Sequence, residues 1–167
     1  MHIMAGVFVA NAPFAQEHPS ALAIYCSDGR FTEAVEELLA SVGDRRIDTL
    51  TIPGGAALLH LWSAGHTEAQ TVRQAASFLI EAHRIVRVVL VAHAACGYYR
   101  SRFPSLGEVP IAERQMMDLR RAAEWLKGRH RGLEVTAYFA HAQNERMMFA
   151  PVLMNDRSQA TADAPRG

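Results

Sequence analysis

The chain has 167 residues, half of them apolar, with 17 basic and 17 acidic side chains and a formal net charge of zero. That length fits one domain with a core of its own. No apolar run approaches the roughly 20 residues of a membrane span, and the charge balance lacks the basic excess of a nucleic-acid surface.

In chain order, residues 1–12 hold a short apolar stretch ending in Ala10-Asn11-Ala12. No Lys or Arg precedes Arg30, so this start lacks the charged opening of a signal peptide and reads as part of the mature protein. Ala21 to Cys26 reads as a buried strand. Val35, Leu38, Leu39 and Val42 then recur at i, i+3, i+4 and i+7, the stripe of an amphipathic helix. Glu33 falls in its first turn and Gly43 follows its last apolar residue as a stop. A second strand is expected over Ile47 to Ile52. Pro53-Gly54-Gly55 breaks it, and Ala56 to Trp62 is read as helical.

From Thr67 to His83 the residues Ala69, Val72, Ala76, Leu79, Ile80 and His83 form another helical face. Ile85 to Ala92 is the clearest strand: its β-branched, nearly all-apolar run suits a strand covered on both faces of a parallel sheet. A further helix is expected over Ile111 to His130. Two final strands follow, Leu133 to His141 and Met147 to Met154, with Asn144-Glu145 near the turn. The order β-α-β-α-α-β-α-β-β predicts an α/β fold, a mostly parallel sheet flanked by helices with an antiparallel C-terminal strand. Residues 1–154 are expected to form a single domain. Residues 155–167, polar and small, are read as a disordered tail.

In parallel sheets, ligands bind beyond the carboxyl ends of the strands. Two groups of reactive residues are predicted there. Cys26 ends the first strand and is followed by Ser27-Asp28-Gly29-Arg30. His93-Ala94-Ala95-Cys96 follows the strongest strand. The chain has only two cysteines. With His93 they make a Cys2His set that leaves a fourth position for water, the form of a catalytic zinc site. Beside it, Asp28 can accept a hydrogen bond from the water and so orient its lone pair. Arg30 keeps that carboxylate ionised and fixed.

Cys26-Ser27-Asp28-Gly29-Arg30 resembles the Cys-x-Asp-x-Arg signature of β-class carbonic anhydrases, and His93-Ala94-Ala95-Cys96-Gly97 resembles their His-x-x-Cys-Gly signature. Gly43-Asp44 followed by Gly54-Gly55 is similar to the family's middle segment, and the likeness runs roughly from Ala21 to Leu153. The chain departs from the family at Thr51-Ile52-Pro53, at Tyr25 before the first cysteine, and in having only 25 residues before Cys26. The resemblance implies zinc held by Cys26, His93 and Cys96, and an Asp28–Arg30 dyad. It implies reversible hydration of carbon dioxide to bicarbonate by a zinc-bound hydroxide. It also implies a homodimer that pairs further, with no nucleic-acid or membrane partner. A pocket wall containing Gly54, Gly55 and Gly97 and a cytoplasmic location complete the expectation.

Other readings stand beside this one. The same scaffold can hydrolyse carbonyl sulfide or carbon disulfide, or it can be a non-catalytic zinc-binding interaction module. In a second arrangement, Arg30 releases Asp28, which takes the fourth zinc position, a state expected at lower pH. Singly, each residue has a plainer role. The cysteines would be small buried apolar groups, His93 a hydrogen-bonded structural histidine, and Asp28–Arg30 a loop salt bridge. His83 is read as core or interface, His60 and His66 as candidate proton carriers, Tyr98-Tyr99 as pocket or dimer contacts. Met116-Met117 and Met147-Met148 are read as filler. A phosphatase Cys-x5-Arg loop is excluded because Thr32 stands where the Arg would be. A Walker loop is excluded because Gly54-Gly55-Ala56-Ala57 lacks a Lys. A dithiol Cys-x-x-Cys is absent.

Overall fold

A computed structural model of the protein describes residues 10–43, 46–60 and 64–154. The tail after residue 154, Asp44 of the middle segment and Trp62 at the end of the expected helical stretch lie outside the described residues.

The first strand, β1 (Ala21–Cys26), is buried at every position. It leads to helix α1 (Thr32–Ser41) and strand β2 (Asp48–Ile52). A 3₁₀ segment, Gly55–Leu59, follows where a longer helix was expected. The next three elements are helix α2 (His66–Ala82), strand β3 (Arg87–His93) and a short helix α3 (Gly97–Arg102). The chain ends with helix α4 (Glu108–Arg129) and strands β4 (Glu134–Gln143) and β5 (Arg146–Pro151). The strand order in the sheet is β2-β1-β3-β4-β5. All neighbours run parallel except β4 and β5. The α/β class and the antiparallel last strand are therefore as the sequence pattern predicts.

Alternation along the central strands divides the core into two layers. Leu22 and Ile24 of β1, with Val88, Leu90 and Ala92 of β3, join a cluster with residues of α2, α4 and the 3₁₀ segment. Ala23 and Tyr25, with Val89 and Val91, pack with Val35 and Leu39 of α1 on the opposite face. Helices thus cover both faces, which is why these strands read as unbroken apolar runs. Each fully buried Leu or Ile contributes roughly 1.5–3 kcal/mol relative to exposure. The β4–β5 hairpin closes on Asn144 and Glu145, both with positive φ (49° and 61°). Such a two-residue turn matches the twist of its strands.

The sheet order reverses direction at β1. The chain passes from β1 to β2 on one side, then returns to place β3 on the other. This is a switch point, where a crevice opens beyond the carboxyl ends of the two strands. Tyr25 pairs with Val91, so Cys26 and His93 stand at adjoining strand ends.

The 3₁₀ segment is pressed onto this place. A Cβ on Gly55 (φ 54°) would lie 2.7 Å from both the backbone nitrogen of Cys26 and the carbonyl carbon of Tyr25. A Cβ on Gly54 (φ 86°) would fall 2.5 Å from the Tyr98 ring. The first obstacle is backbone and cannot move aside. Gly55→Ala combines that clash with a left-handed conformation, and is expected to lower stability by about 2 kcal/mol or more in urea unfolding. Gly29→Ala, with open space around it, should stay within about 0.5 kcal/mol of the parent.

Candidate metal centre

Three of the residues singled out from sequence converge. Cys26 comes from the end of β1, His93 from the end of β3, and Cys96 from the turn into α3. One ligand atom from each, two sulfurs and a ring nitrogen, lies within 4.8 Å of the others. All three residues are buried. The two sulfurs are 3.9 Å apart and both thiols are free.

This spacing fits a shared metal ion. Two thiolates each about 2.3 Å from one tetrahedral zinc stand about 3.8 Å apart. The imidazole fits as well. Nδ1 of His93 bonds the carbonyl oxygen of Ala94 at 2.9 Å, so Nδ1 carries the hydrogen. Nε2 is left with its lone pair, buried and without a hydrogen bond of ordinary geometry. A backbone carbonyl holding the far ring nitrogen is the usual support for a metal-bound histidine.

The thiols are electrostatically unlike. The Cys26 thiol is pushed down, first because it accepts a hydrogen bond from Cys96, with further help from the backbone of Gly54 and Asp28. Cys96, as donor to Cys26 and buried, is pushed up. The pair thus favours one thiolate before any cation arrives. Ala95, between His93 and Cys96, has φ 58°. This left-handed residue turns the chain so that His93 and Cys96 face the same space.

Asp28 and Arg30 lie beside this group, on the turn closed by the Phe31 amide donating to the Asp28 carbonyl at 3.0 Å. The Arg30 guanidinium grips the carboxylate with two edges. Nε donates to Oδ1 at 2.9 Å and Nη2 to Oδ2 at 2.5 Å, while the Arg30 amide donates to Oδ1 at 3.2 Å. These bonds hold the Asp28 carboxyl at about 2. Asp28 is half-buried and the Arg30 side chain largely exposed, so the pair orients more than it stabilises. In this structure Asp28 is on Arg30, not turned toward the cysteines.

Among the expected pocket residues, Gly54 and Gly55 are buried against Tyr98 and the end of β1. Gly97 starts α3 with open space around it, and nothing in its surroundings requires glycine. Tyr98 is half-buried. Tyr99 is buried and donates its hydroxyl to Asp118 at 2.8 Å. His60 is partly buried, and its burial pushes its pKa down. His83 is bonded to Asp48 at 2.5 Å on the β2 edge rather than lying in the core. Met116 packs on the core while Met117 and Met148 are exposed.

Three supporting residues were not legible in sequence. Phe31 lays its ring 4.0 Å from the His93 ring and is itself buried. Gln115 and Asp118, both 1% exposed on α4, hold the two ligand segments. Gln115 Nε2 donates to the His93 carbonyl at 2.8 Å, and Asp118 accepts from Tyr99. Their spacing places them on the same buried stripe as Ile111, Leu119 and Ala122. That spacing was the available signal.

Two outcomes follow from this geometry. Gln115→Leu strips the buried His93 carbonyl of its partner. It should lower stability by about 1–3 kcal/mol in urea unfolding. Arg30→Gln should let the Asp28 carboxyl rise toward its ordinary value, visible in a carboxyl NMR titration of the metal-free protein. Because the folded-state value is below the unfolded one, the parent's Asp28 contribution is complete above about pH 4. It fades as pH falls toward 2. The variant should lose that window.

Comparison with known proteins places this geometry. The family model described as "Putative carbonic anhydrase" matches residues 16–149. The β-carbonic anhydrase CafA of Aspergillus fumigatus superposes with a TM-score of 0.51 at 16% identity, over 80% of this chain and 76% of that one. The carbonic anhydrase of Streptococcus mutans gives 0.53 at 11% identity, over 84% and 87%. A tetrameric β-carbonic anhydrase of Sordaria macrospora gives 0.50 at 15%, over 80% and 81%. No curated protein matches the chain. The matched span makes this chain a divergent member of the carbonic anhydrase family that the model describes, with the β-carbonic anhydrase fold.

Proposed function

We propose that the protein is a zinc-dependent carbonic anhydrase, catalysing reversible hydration of carbon dioxide to bicarbonate. The observation that carries this reading is the meeting of a Cys2His group, at zinc-compatible spacing, with a bidentate Asp–Arg pair at one switch point of the sheet. Cys26, His93 and Cys96 would hold the metal. Zinc, when bound, supplies Lewis-acid activation of water, bringing its pKa to about 7.

The chain's own residues supply the rest. Asp28 is ionised throughout the neutral range and can only accept hydrogen bonds. It takes the O–H of the attacking oxygen and leaves that oxygen's lone pair aimed at the substrate carbon. Arg30 occupies one side of both carboxylate oxygens, so a single direction remains for that acceptance. Two thiolates and a neutral imidazole balance a divalent ion. The site is then uncharged overall, suited to an apolar substrate such as carbon dioxide. Gly54, Gly55 and Gly97 are assigned to the pocket wall, the first two by their close packing on Tyr98 and the end of β1. The released proton passes to buffer or to a nearby histidine.

Two free thiols in the ligand set fit a reducing compartment, and we assign the protein to the cytoplasm. No helix among the described residues is long and apolar enough to cross a membrane. By analogy with the tetrameric relative we assign a homodimer or higher homo-oligomer.

The test is zinc content and stopped-flow carbon dioxide hydration on one preparation. About one zinc per chain with activity is expected. Cys96→Ser should lose both, whereas Asp28→Asn should keep zinc and lose about 100-fold or more in turnover. Zinc without hydration would overturn the substrate and move the reading to carbonyl sulfide. Absence of zinc in reduced protein prepared without chelator would overturn the metal.

A further inference from the structure

A second polar pocket lies away from the metal centre, between α2 and α4. Its volume is about 400 Å³. Helix α2 contributes His66, Gln70, Arg73, Gln74 and Ser77, spaced to share one face, and α4 contributes Trp125 and Arg129 one turn apart. No carboxylate lines it. Glu81 of α2 faces Nδ1 of His130 at 3.9 Å. Among the described residues, neither Arg73 nor Arg129 has a carboxylate partner. Two guanidinium groups thus share a concavity that no carboxylate lines.

One of them is held in place. Arg73 donates from Nε to the Leu59 carbonyl at 2.8 Å, and its guanidinium lies 5.0 Å from the centre of the Trp125 ring. With Nε committed, the terminal nitrogens keep their donors. A fixed fork of this kind suits a carboxylate or phosphate. Ser77 Oγ lies 3.3 Å from His130 Nε2. Burial pushes the His130 pKa down. The pocket is much larger than a bare inorganic anion needs and falls within the size of small-ligand sites. Trp125 offers apolar surface beside the charges.

We infer that the cleft between α2 and α4 binds a small organic oxyanion, a carboxylate or phosphate ester with a flat apolar body, through Arg73 and Arg129 beside Trp125. The site is separate from the metal centre, and this inference does not rest on the proposed activity. One link to that centre runs through the backbone: Arg73 holds Leu59, the last residue of the 3₁₀ segment that presses on Cys26.

The test is isothermal titration of the zinc-loaded protein at low ionic strength with phenyl phosphate, hippurate and inorganic phosphate. Saturable one-to-one binding of phenyl phosphate or hippurate is expected, tighter than inorganic phosphate. Arg129→Gln, an exposed position far from the zinc ligands in sequence, should weaken it about ten-fold or more with zinc content unchanged. Arg73→Lys, which keeps the charge but loses the fork, should also weaken it. No saturable binding in the millimolar range overturns the inference, as does binding indifferent to Arg129→Gln, which would place the anion at the metal. Equal affinity for inorganic phosphate overturns the organic body of the ligand.

Discussion

The parallel pairing of β1 with β3 is the constraint on which everything else hangs. Both strands are buried on both faces, so neither can slip by one residue without driving apolar side chains into the wrong layer. That fixed register sets Cys26 beside the end of β3. It converts a separation of 70 residues in sequence into two sulfurs 3.9 Å apart. The reactive residues need no special framework of their own. Cys26 and His93 are the last paired residues of β1 and β3, and Asp28, Arg30 and Cys96 lie just beyond, where backbone turns replace ladder bonds.

The surroundings then tighten the placement in layers. From α1's side, Phe31 limits rotation of the His93 ring. From α4's side, Gln115 and Asp118 fasten the carbonyl of one ligand and the tyrosine three residues after another. The 3₁₀ segment caps the end of β1 so closely that only glycine fits at residue 55. Asp28, by contrast, is governed by a single exposed partner. The Cys26–His93–Cys96 group is therefore rigid while the Asp28–Arg30 pair is the softer part of the site. That division suits the roles proposed for them.

Legibility in the sequence followed burial. Strands covered on both faces announce themselves as apolar runs, and Ala21–Cys26 was read to the residue. The paired motifs were legible because both follow such strands. Other features failed for identifiable reasons. Helix α3 has six residues, GYYRSR, too few to show a helical period. Ala56 to Trp62 looked helical because small and apolar residues suit any tight coil, and the segment instead forms a 3₁₀ turn over Gly55–Leu59. Gln115 and Asp118 carried no signal of burial, because a polar residue on a helix normally faces solvent. Their burial depends on partners, the His93 carbonyl and the Tyr99 hydroxyl, contributed by distant parts of the chain. His83 was assigned to an apolar face, but its neighbour is a carboxylate on β2 that no local pattern reveals.

The distance along the chain between Cys26 and Cys96 has a further consequence. An ion held by both closes a loop that contains α1, β2, the 3₁₀ segment, α2 and β3. Loop-closure entropy rises only slowly with length, about 0.6 kcal/mol per doubling, so such a long tether costs little more than a short one. Its effect falls on the unfolded ensemble, which cannot keep the ion without giving up much of its freedom. Ligands this far apart therefore tie ion retention to the cooperativity of the whole sheet, and loss of the ion would be felt first as easier global opening rather than as fraying of one local turn.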